Sequence, residues 1–279
     1  MSAPPDLPDL VRPEDLTPWE RLRQYTDARI ALGRVGTSLP TAELLRFGQA
    51  HALARDAVQA ELDVAALAKA LAVETVQVRS QAAQRSEYLR RPDLGRTLHP
   101  ESAQLLRAQR TNPTPEILIM VSDGLSALSA QRQAAEVLHT LLPGLHAAGL
   151  TVAPVLIATL ARVALADEAA ELLGARLALH LIGERPGLSS PDSLGAYLTY
   201  NPRPGTLDSA RNCVSNIRPA GLDAGVAARR LLSLTVQALR RGLSGVELKD
   251  TDGVLSGGEG DAGNGLPKGS YSVIPEQSD

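Results

Sequence analysis

Residues that could bind or attack a ligand follow the predicted strands of this 279-residue sequence at four places. These places are residues 122–124 (SDG), 159–166, 183–187 (GERPG) and 212–216 (NCVSN). Together they offer hydroxyls, carboxylates, amides, guanidinium groups and one thiol, which could hold a polar ligand or supply a nucleophile. Because parallel α/β sheets bind ligands beyond the carboxyl ends of their strands, the four segments predict a ligand-binding rim.

Known phosphate and metal motifs are missing from the sequence. There is no G-x-x-x-x-G-K-[ST], and no G-x-G-x-x-G follows the first predicted strand, which argues against ordinary nucleotide binding. The five histidines form no H-E-x-x-H motif and no close Cys/His cluster, so no metal site is expected. His51, on the apolar stripe of a helix, and His180, inside a strand, are both interpreted as structural.

A nucleophilic site is the alternative chemistry. Ser122, Asp123 and His180 could form a triad, but no G-x-S-x-G turn frames the serine. Asp123 is better explained as a turn or helix-cap residue. Cys213 would need a neighbouring base and a lowered pKa, and the local sequence supplies neither, so it is interpreted as a small buried apolar side chain. Residue spacing alone predicts a ligand-binding module without catalytic equipment.

The elements that must position this rim lie in the second half of the chain. Strands are predicted at 116–121, 152–157, 176–182 and 196–200. Helices are predicted from the turn at residues 122–124 to Gly149, from Asp167 to Gly174, and at 224–241. Alternation of apolar strands with helices predicts a Rossmann-like parallel α/β domain over residues 113–244.

A helical N-terminal domain is predicted at 19–112. Pro40 and Thr41 begin a helix with apolar residues at three- and four-residue steps, and further helices are expected around 65–85 and 101–109. The apolar stripe of the first helix comprises Leu44, Phe47, His51, Ala54, Val58 and Leu62. The Pro-rich residues 1–18 predict a disordered lead-in, and the acidic, Gly-rich residues 245–279 a disordered tail.

Charge and composition exclude several partners. The net charge is −3, but residues 245–279 contain seven acidic residues and only two lysines. Residues 1–244 therefore carry a net charge of about +2, which is too small to indicate a nucleic-acid-binding surface. One cysteine permits no intramolecular disulfide, which favours a reducing compartment. No apolar run reaches the roughly 18 residues of a membrane span, and the N-terminus is unlike a signal peptide. We therefore expect a cytoplasmic protein without membrane contact.

Several segments, taken in order, carry a resemblance to a known family. They are 28–34 (ARIALGR), 44–47 (LLRF), 54–58 (ARDAV), 88–96 (YLRRPDLGR), 122–126 (SDGLS), 183–188 (GERPGL), 192–194 (DSL) and 211–217 (RNCVSNI). Each is weak by itself, but the ordered set is highly specific. From residue 28 to about residue 243 the chain resembles the small (light) subunit of ethanolamine ammonia-lyase.

The resemblance implies a two-subunit enzyme that converts ethanolamine to acetaldehyde and ammonia by a radical mechanism. Adenosylcobalamin would lie between this chain and a large subunit, a TIM barrel that binds the ethanolamine and carries the catalytic side chains. No catalytic residue is then expected on this chain, whose part is to position and shield the cofactor. The D-x-H-x-x-G motif of proteins that replace the cofactor's own base is missing, so a base-on cobalamin is implied.

Three positions match the family's cobalamin contacts: Val163, Glu184 and Cys213. A carboxylate such as that of Glu184 can accept hydrogen bonds from corrin amides, while Val163 and Cys213 can pack or offer backbone groups. Each could instead be an ordinary rim residue, and Glu184 could pair with Arg185 or cap a helix.

The chain departs from the family pattern at both ends. Some relatives begin with an amphipathic helix that directs them to a microcompartment, whereas residues 1–18 are Pro-rich, and the acidic tail has no counterpart. Two rival functions stay open from the residues alone. One is a nucleotide-binding or regulatory α/β module without enzyme activity, and the other is a small hydrolase that uses Ser122 or Cys213.

Overall fold

A six-stranded sheet organises residues 17–248, the part of the chain that the computed structural model describes. The strands are β1 (Thr75–Arg79), β2 (Ile117–Ser122), β3 (Val155–Thr159), β4 (Leu177–Gly183), β5 (Leu194–Tyr200) and β6 (Arg211–Ile217). The helices are α1 (Pro18–Arg23), α2 (Thr41–Gln59), α3 (Val64–Leu71), α4 (Arg85–Arg90), α5 (Pro100–Ala108), α6 (Ala127–Ala147), α7 (Leu165–Leu173) and α8 (Ala224–Arg241). Short 3-10 helices occur at Leu94–Arg96, Asp208–Ala210 and Gly245–Glu247.

The strand order is β1-β3-β2-β4-β5-β6, and the winding of the chain reverses at β2. Strands β1, β3, β2 and β4 are parallel, whereas β5 and β6 are antiparallel additions at one edge. Helix α6 carries the chain from β2 to β3 over one face, and α7 carries it from β3 to β4 over the other. This reversal opens a crevice beyond the carboxyl ends of the neighbouring strands β2 and β4, where α/β sheets bind ligands.

Strand β2 shows how the core is divided between the two faces. Ile117, Ile119 and Val121 pack in the cluster that contains α3, α6 and α8. Leu118 and Met120 pack in the second cluster, with α5 and α7. Every residue of the strand is buried. A central parallel strand covered on both faces is expected to be continuously apolar, which is the pattern seen in the sequence.

The predicted fold class, a helical N-terminal segment followed by a Rossmann-like α/β domain, is confirmed. Helix α8 has the predicted bounds because both of its ends are marked by capping residues. The Asp223 carboxylate accepts hydrogen bonds from the N–H groups of Gly225 and Val226 at its start. Gly242 ends it with a φ of 70°, in the left-handed region that glycine favours.

Strand β1 corrects the prediction of helix around 65–85. Helix α3 ends at Leu71, and Ala72 takes a left-handed φ of 54°. Residues 75–79, TVQVR, are rich in β-branched side chains and pair with β3 at the sheet edge. The segment predicted as all-helical therefore contributes one strand to the sheet.

Two further expectations about the sheet need correction. Strand β5 is antiparallel to β4, because residues 184–193 contain no helix that could carry the chain back for a parallel pairing. Residues 212–216, predicted as a rim loop, lie within strand β6 beside β5. Cys213 is consequently a strand residue.

Both predicted disordered ends overlap described structure. Thr17 caps α1, which begins at Pro18, so only residues 1–16 of the predicted lead-in lie outside the described residues. At the other end the Asn212 amide donates to the carbonyls of Gly245 (3.1 Å) and Leu248 (2.8 Å), and Leu248 is buried. Residues 245–248 of the predicted tail are therefore ordered, and residues 249–279, the rest of that prediction, lie outside the described residues. None of the helices within 17–248 has the length and apolar character that crossing a membrane requires.

Candidate ligand-binding rim

An open cavity of about 430 Å³ lies beyond the carboxyl ends of the central strands. Its walls come from the loops after β2, β3 and β4, and among its lining residues are Leu125, Val163 and Glu184. Tyr88, from α4, and Tyr197, from β5, complete two of its sides. The cavity is therefore at the predicted rim, and it contains two of the three predicted cofactor contacts.

Glycine residues allow the loops after β2 and β4 to touch. A Cβ on Gly124, whose φ is +51°, would overlap the carbonyl oxygen of Gly183. A Cβ on Gly183 would in turn overlap backbone atoms of Asp123 and Ser126. The N–H of Leu125 donates to the Gly183 carbonyl at 2.9 Å, which fixes the contact between the two loops.

Asp123 ties the loop after β2 to the loop after β3. Its buried carboxylate accepts hydrogen bonds from the N–H groups of Leu160 (2.9 Å) and Ala161 (3.2 Å). Leu160 has a φ of +55°, which a branched side chain rarely adopts, so these bonds hold a strained turn at the cavity edge. Asp123 lies in a turn as predicted, but the helix-cap interpretation is wrong because Ser126 is the N-cap of α6.

Arg85 neutralises the buried Asp123 at a distance of 3.2 Å. Burial raises the pKa of Asp123, and the positive charge of Arg85 opposes that rise. The same guanidinium donates to the carbonyls of Gly124 and Val58, both at 2.7 Å. Arg85 thus connects the end of α2 with the rim, a connection that the spacing of the sequence does not reveal.

His180 fixes the position of Val163. Its Nδ1 lies 3.1 Å from the Val163 carbonyl and its Nε2 lies 2.7 Å from the Ser122 hydroxyl. Burial lowers the pKa of His180 to about 4, so the ring is neutral near pH 7. A neutral ring that donates from Nδ1 must accept at Nε2, so the Ser122 hydroxyl is the donor there.

This arrangement argues against the triad of Ser122, Asp123 and His180. Ser122 and His180 are both buried, and Asp123 bonds to Arg85 and the turn at Leu160 rather than to the histidine. No substrate could reach the serine hydroxyl without disrupting the sheet. The interpretation of His180 as a structural residue is supported.

Glu184 is held by three donors from its own chain. Its carboxylate accepts from the Ser193 hydroxyl at 2.5 Å, from the Ser215 hydroxyl, and from the Asn216 N–H at 3.3 Å. It makes no ion pair with Arg185. The half-buried side chain therefore joins the end of β4 to the end of β6 while facing the cavity.

Cys213 lies beside the cavity wall. It is opposite Tyr197 in the pairing of β5 with β6, and the Tyr197 hydroxyl influences the pKa of its thiol. Although Cys213 keeps an exposed surface, partial desolvation of its thiol raises the pKa of that group; the Tyr197 hydroxyl opposes this rise, and the negative charge of Glu184 adds to it. A raised pKa disfavours a nucleophilic thiolate. The residue itself is exposed, which contradicts its interpretation as a buried apolar side chain.

Tyr88 is a site residue that the sequence reasoning missed, and Arg162 lies in the predicted rim segment 159–166 without having been singled out. The Arg162 guanidinium stacks 4.2 Å from the centre of the Tyr88 ring, and the Tyr88 hydroxyl donates to the Ala161 carbonyl at 3.0 Å. Gly95 leaves room for this stack, since a Cβ there would lie 2.8 Å from the Arg162 Cγ. Residues 88–96 did carry part of the family resemblance, but nothing in their spacing marks them as a cavity wall.

The fold and the rim together define a Rossmann-like α/β protein with a ligand cavity at its topological switch point. A protein-family model, the ethanolamine ammonia-lyase light chain, matches residues 16–249. The ethanolamine ammonia-lyase small subunit of Azotobacter vinelandii is 53% identical over 243 residues, which cover 85% of this chain and 90% of the relative. The small subunit of Pseudomonas fluorescens SBW25 is 50% identical over 258 residues, which cover 90% of this chain and 91% of the relative. The small subunit of Ralstonia nicotianae is 52% identical over 238 residues, which cover 84% of this chain and 88% of the relative.

The chain therefore belongs to the ethanolamine ammonia-lyase light-chain family, whose members are subunits of a lyase.

Proposed function

We propose that this chain is the small subunit of an adenosylcobalamin-dependent ethanolamine ammonia-lyase and that its rim cavity holds one side of the cobalamin. Family membership supports the first part. The second part rests on one observation: the rim cavity lies at the switch point of the sheet and gathers the residues matched to cobalamin contacts. Val163 and Glu184 line it, and Cys213 contacts its wall through Tyr197.

The chemistry of the cavity suits a corrin, which is a broad apolar disc fringed with amides. Leu125, Val163 and Ile182 offer apolar surface. A carboxylate can accept about four hydrogen bonds, and the chain supplies three to Glu184, so one position is left for an amide N–H. Arg162 also lines the cavity, and a guanidinium can donate a hydrogen bond to an amide oxygen.

The cavity cannot enclose such a cofactor alone, since about 430 Å³ suits a drug-sized ligand at most. A second surface must cover the exposed side, and the partner expected for a small subunit is a large subunit in a hetero-oligomer. In this proposal that partner is a TIM barrel, which binds ethanolamine and supplies the catalytic side chains.

In this proposal the chain holds the cofactor in position and shields it from solvent. When bound, adenosylcobalamin would supply the radical chemistry of the deamination, with its own base retained. Glu184 and Arg162 would hold the amide fringe, and His180 would keep the Val163 carbonyl turned inward. The buried Ser122, Asp123 and His180 are committed to bonds within the chain, so none serves as an acid or base for the substrate.

Reconstitution tests the proposal. We expect no deamination of ethanolamine by this chain alone, and formation of acetaldehyde when the cognate large subunit and adenosylcobalamin are added. The large subunit with cofactor but without this chain is the control, and it should be nearly inactive. Turnover by this chain alone, or an unchanged rate in its absence, would contradict the proposal. Binding of a nucleotide in place of cobalamin would favour the non-enzymatic alternative.

A further inference from the structure

Helix α2 has an apolar surface that no other described residue covers. Of its 19 residues only Ala57 is buried, while Leu44 is 59% and Leu45 is 68% exposed. The three- and four-residue periodicity that begins at Leu44 and Phe47 is typical of a helix that buries one face. Structure and sequence pattern therefore disagree, and a partner that covers the first turns of α2 would reconcile them.

The exposed surface continues through the whole segment that precedes the end of α2. We call residues 17–59 the arm. The arm holds nine of the thirteen exposed large apolar side chains within residues 17–248: Trp19, Leu22, Tyr25, Val35, Leu39, Leu44, Leu45, Phe47 and Leu53. Soluble monomers rarely gather so many in one region, and Trp, Tyr, Phe and Arg are enriched in protein interfaces.

We propose that the arm is the surface by which this chain docks on the large subunit. The inference rests on the proposed function, because the partner is the large subunit named there. The family match begins at residue 16, so the arm belongs to the common pattern of light chains and is no peculiarity of this sequence.

The connection of the arm to the cavity supports this choice of partner. Arg85 donates to the Val58 carbonyl near the end of α2 and, with the same guanidinium, to the Gly124 carbonyl and the Asp123 carboxylate on the rim. The end of the arm is therefore connected through one buried side chain to the rim on which the proposed function places the large subunit. A partner bound to both would form one continuous interface around the cavity.

The charge of the arm indicates the kind of surface on the large subunit to which it would bind. Residues 17–59 contain six arginines and four acids, a net charge of +2 with His51 neutral. The matching surface on the large subunit should be apolar at its centre and bordered by carboxylates. Two arms could also pair with each other, in which case this chain would dimerise by itself.

The test replaces exposed leucines of the arm. Leu44→Asp and Leu45→Asp are combined in one variant, and Leu105→Asp is the control. Leu105 is 41% exposed on α5, which packs on the opposite face of the sheet from α6, the helix that α2 contacts. Because all three leucines are exposed, both variants should keep the wild-type melting temperature.

The measurement is the dissociation constant for the large subunit, together with the mass of the chain alone by light scattering. We expect the dissociation constant to rise at least tenfold for the arm variant, in line with the loss of interface hot spots, and to change less than about threefold for the control. Equal affinity of wild type and arm variant would overturn the inference while leaving the proposed function intact. A wild-type chain that dimerises through the arm, with unchanged affinity for the large subunit, would overturn it in favour of a second copy. Failure of the wild type to bind the large subunit would refute the proposed function itself.

Discussion

Acidification should destabilise the protein through His180. A histidine in an unfolded chain titrates near pH 6.5, whereas the buried His180 ring has a pKa of about 4. As the pH falls below 6.5, the unfolded chain takes up a proton that the folded protein does not bind. The stability contributed by neutral His180 is therefore fully present above pH 6.5 and is lost as the pH falls toward 4.

The size of the effect follows from the difference between the two pKa values. The folded value of about 4 lies about 2.5 units below the unfolded one, and each unit corresponds to 1.36 kcal/mol. The free energy of unfolding should thus fall by about 3 kcal/mol between pH 6.5 and pH 4 from this residue alone. Below pH 4 the contribution is constant, because both states are then protonated.

The assay is urea unfolding at several pH values between 7 and 4, with wild type, His180→Gln and His139→Gln compared. The His180→Gln protein should be less stable at pH 7, by about 1–3 kcal/mol, because the Val163 carbonyl or the Ser122 hydroxyl loses its partner. Its disadvantage should shrink as the pH falls, since it lacks the titrating ring. His139, exposed on α6, is the matched control and should keep the wild-type profile. A difference between wild type and His180→Gln that stays constant from pH 7 to pH 4 would refute the reasoning.

Three further outcomes are expected from the residues around the cavity. Asp123→Asn should lower the free energy of unfolding by about 3–5 kcal/mol in urea titrations, because it leaves the buried Arg85 charge without its partner; a loss below 1 kcal/mol would contradict this. Gly95→Ala should cost about 1–3 kcal/mol, since its Cβ would press on Arg162 and Tyr88, whereas Gly48→Ala, with open space around its Cβ, should be neutral or stabilising. Cys213 should react with a thiol reagent at pH 7.5 more slowly than a free cysteine, because partial desolvation of the thiol and the nearby charge of Glu184 raise its pKa; a faster reaction would show an activated thiolate.

Features with a strong local pattern could be predicted from the sequence. Strand β2 is a continuous apolar run that ends in a turn triplet, and α8 is bounded by a capping aspartate and a left-handed glycine. Such signals lie within a few neighbouring residues, so they can be recognised without knowledge of the tertiary structure. The rim after β2 and β4 followed directly from them.

Other features depend on contacts between distant segments. Asp123 meets Arg85, which is 38 positions away, and Glu184 meets Ser215, 31 positions away. Residues 75–79 become a strand because the edge of β3 is free to pair with them. Nothing in the spacing of the sequence reports these contacts, which explains why the polar network behind the cavity was missed. Val163 and Glu184 came from the family resemblance, and the structure brings both to the rim cavity, while their contact with cobalamin stays a prediction.

The most direct test of the account is the affinity of the assembled two-subunit protein for cobalamin, measured with wild type, Glu184→Gln and Glu116→Gln. Glu116 is a matched control at the opposite end of the sheet, where it pairs with Arg176. Loss of a charge-assisted hydrogen bond costs about 1.5–3 kcal/mol, so Glu184→Gln should raise the dissociation constant roughly 10- to 150-fold. The control should bind as wild type does. If Glu184→Gln lowers the melting temperature while its cobalamin affinity stays within about threefold of wild type, less than 1 kcal/mol, Glu184 only joins β4 to β6 and the claim that it holds the cofactor is wrong.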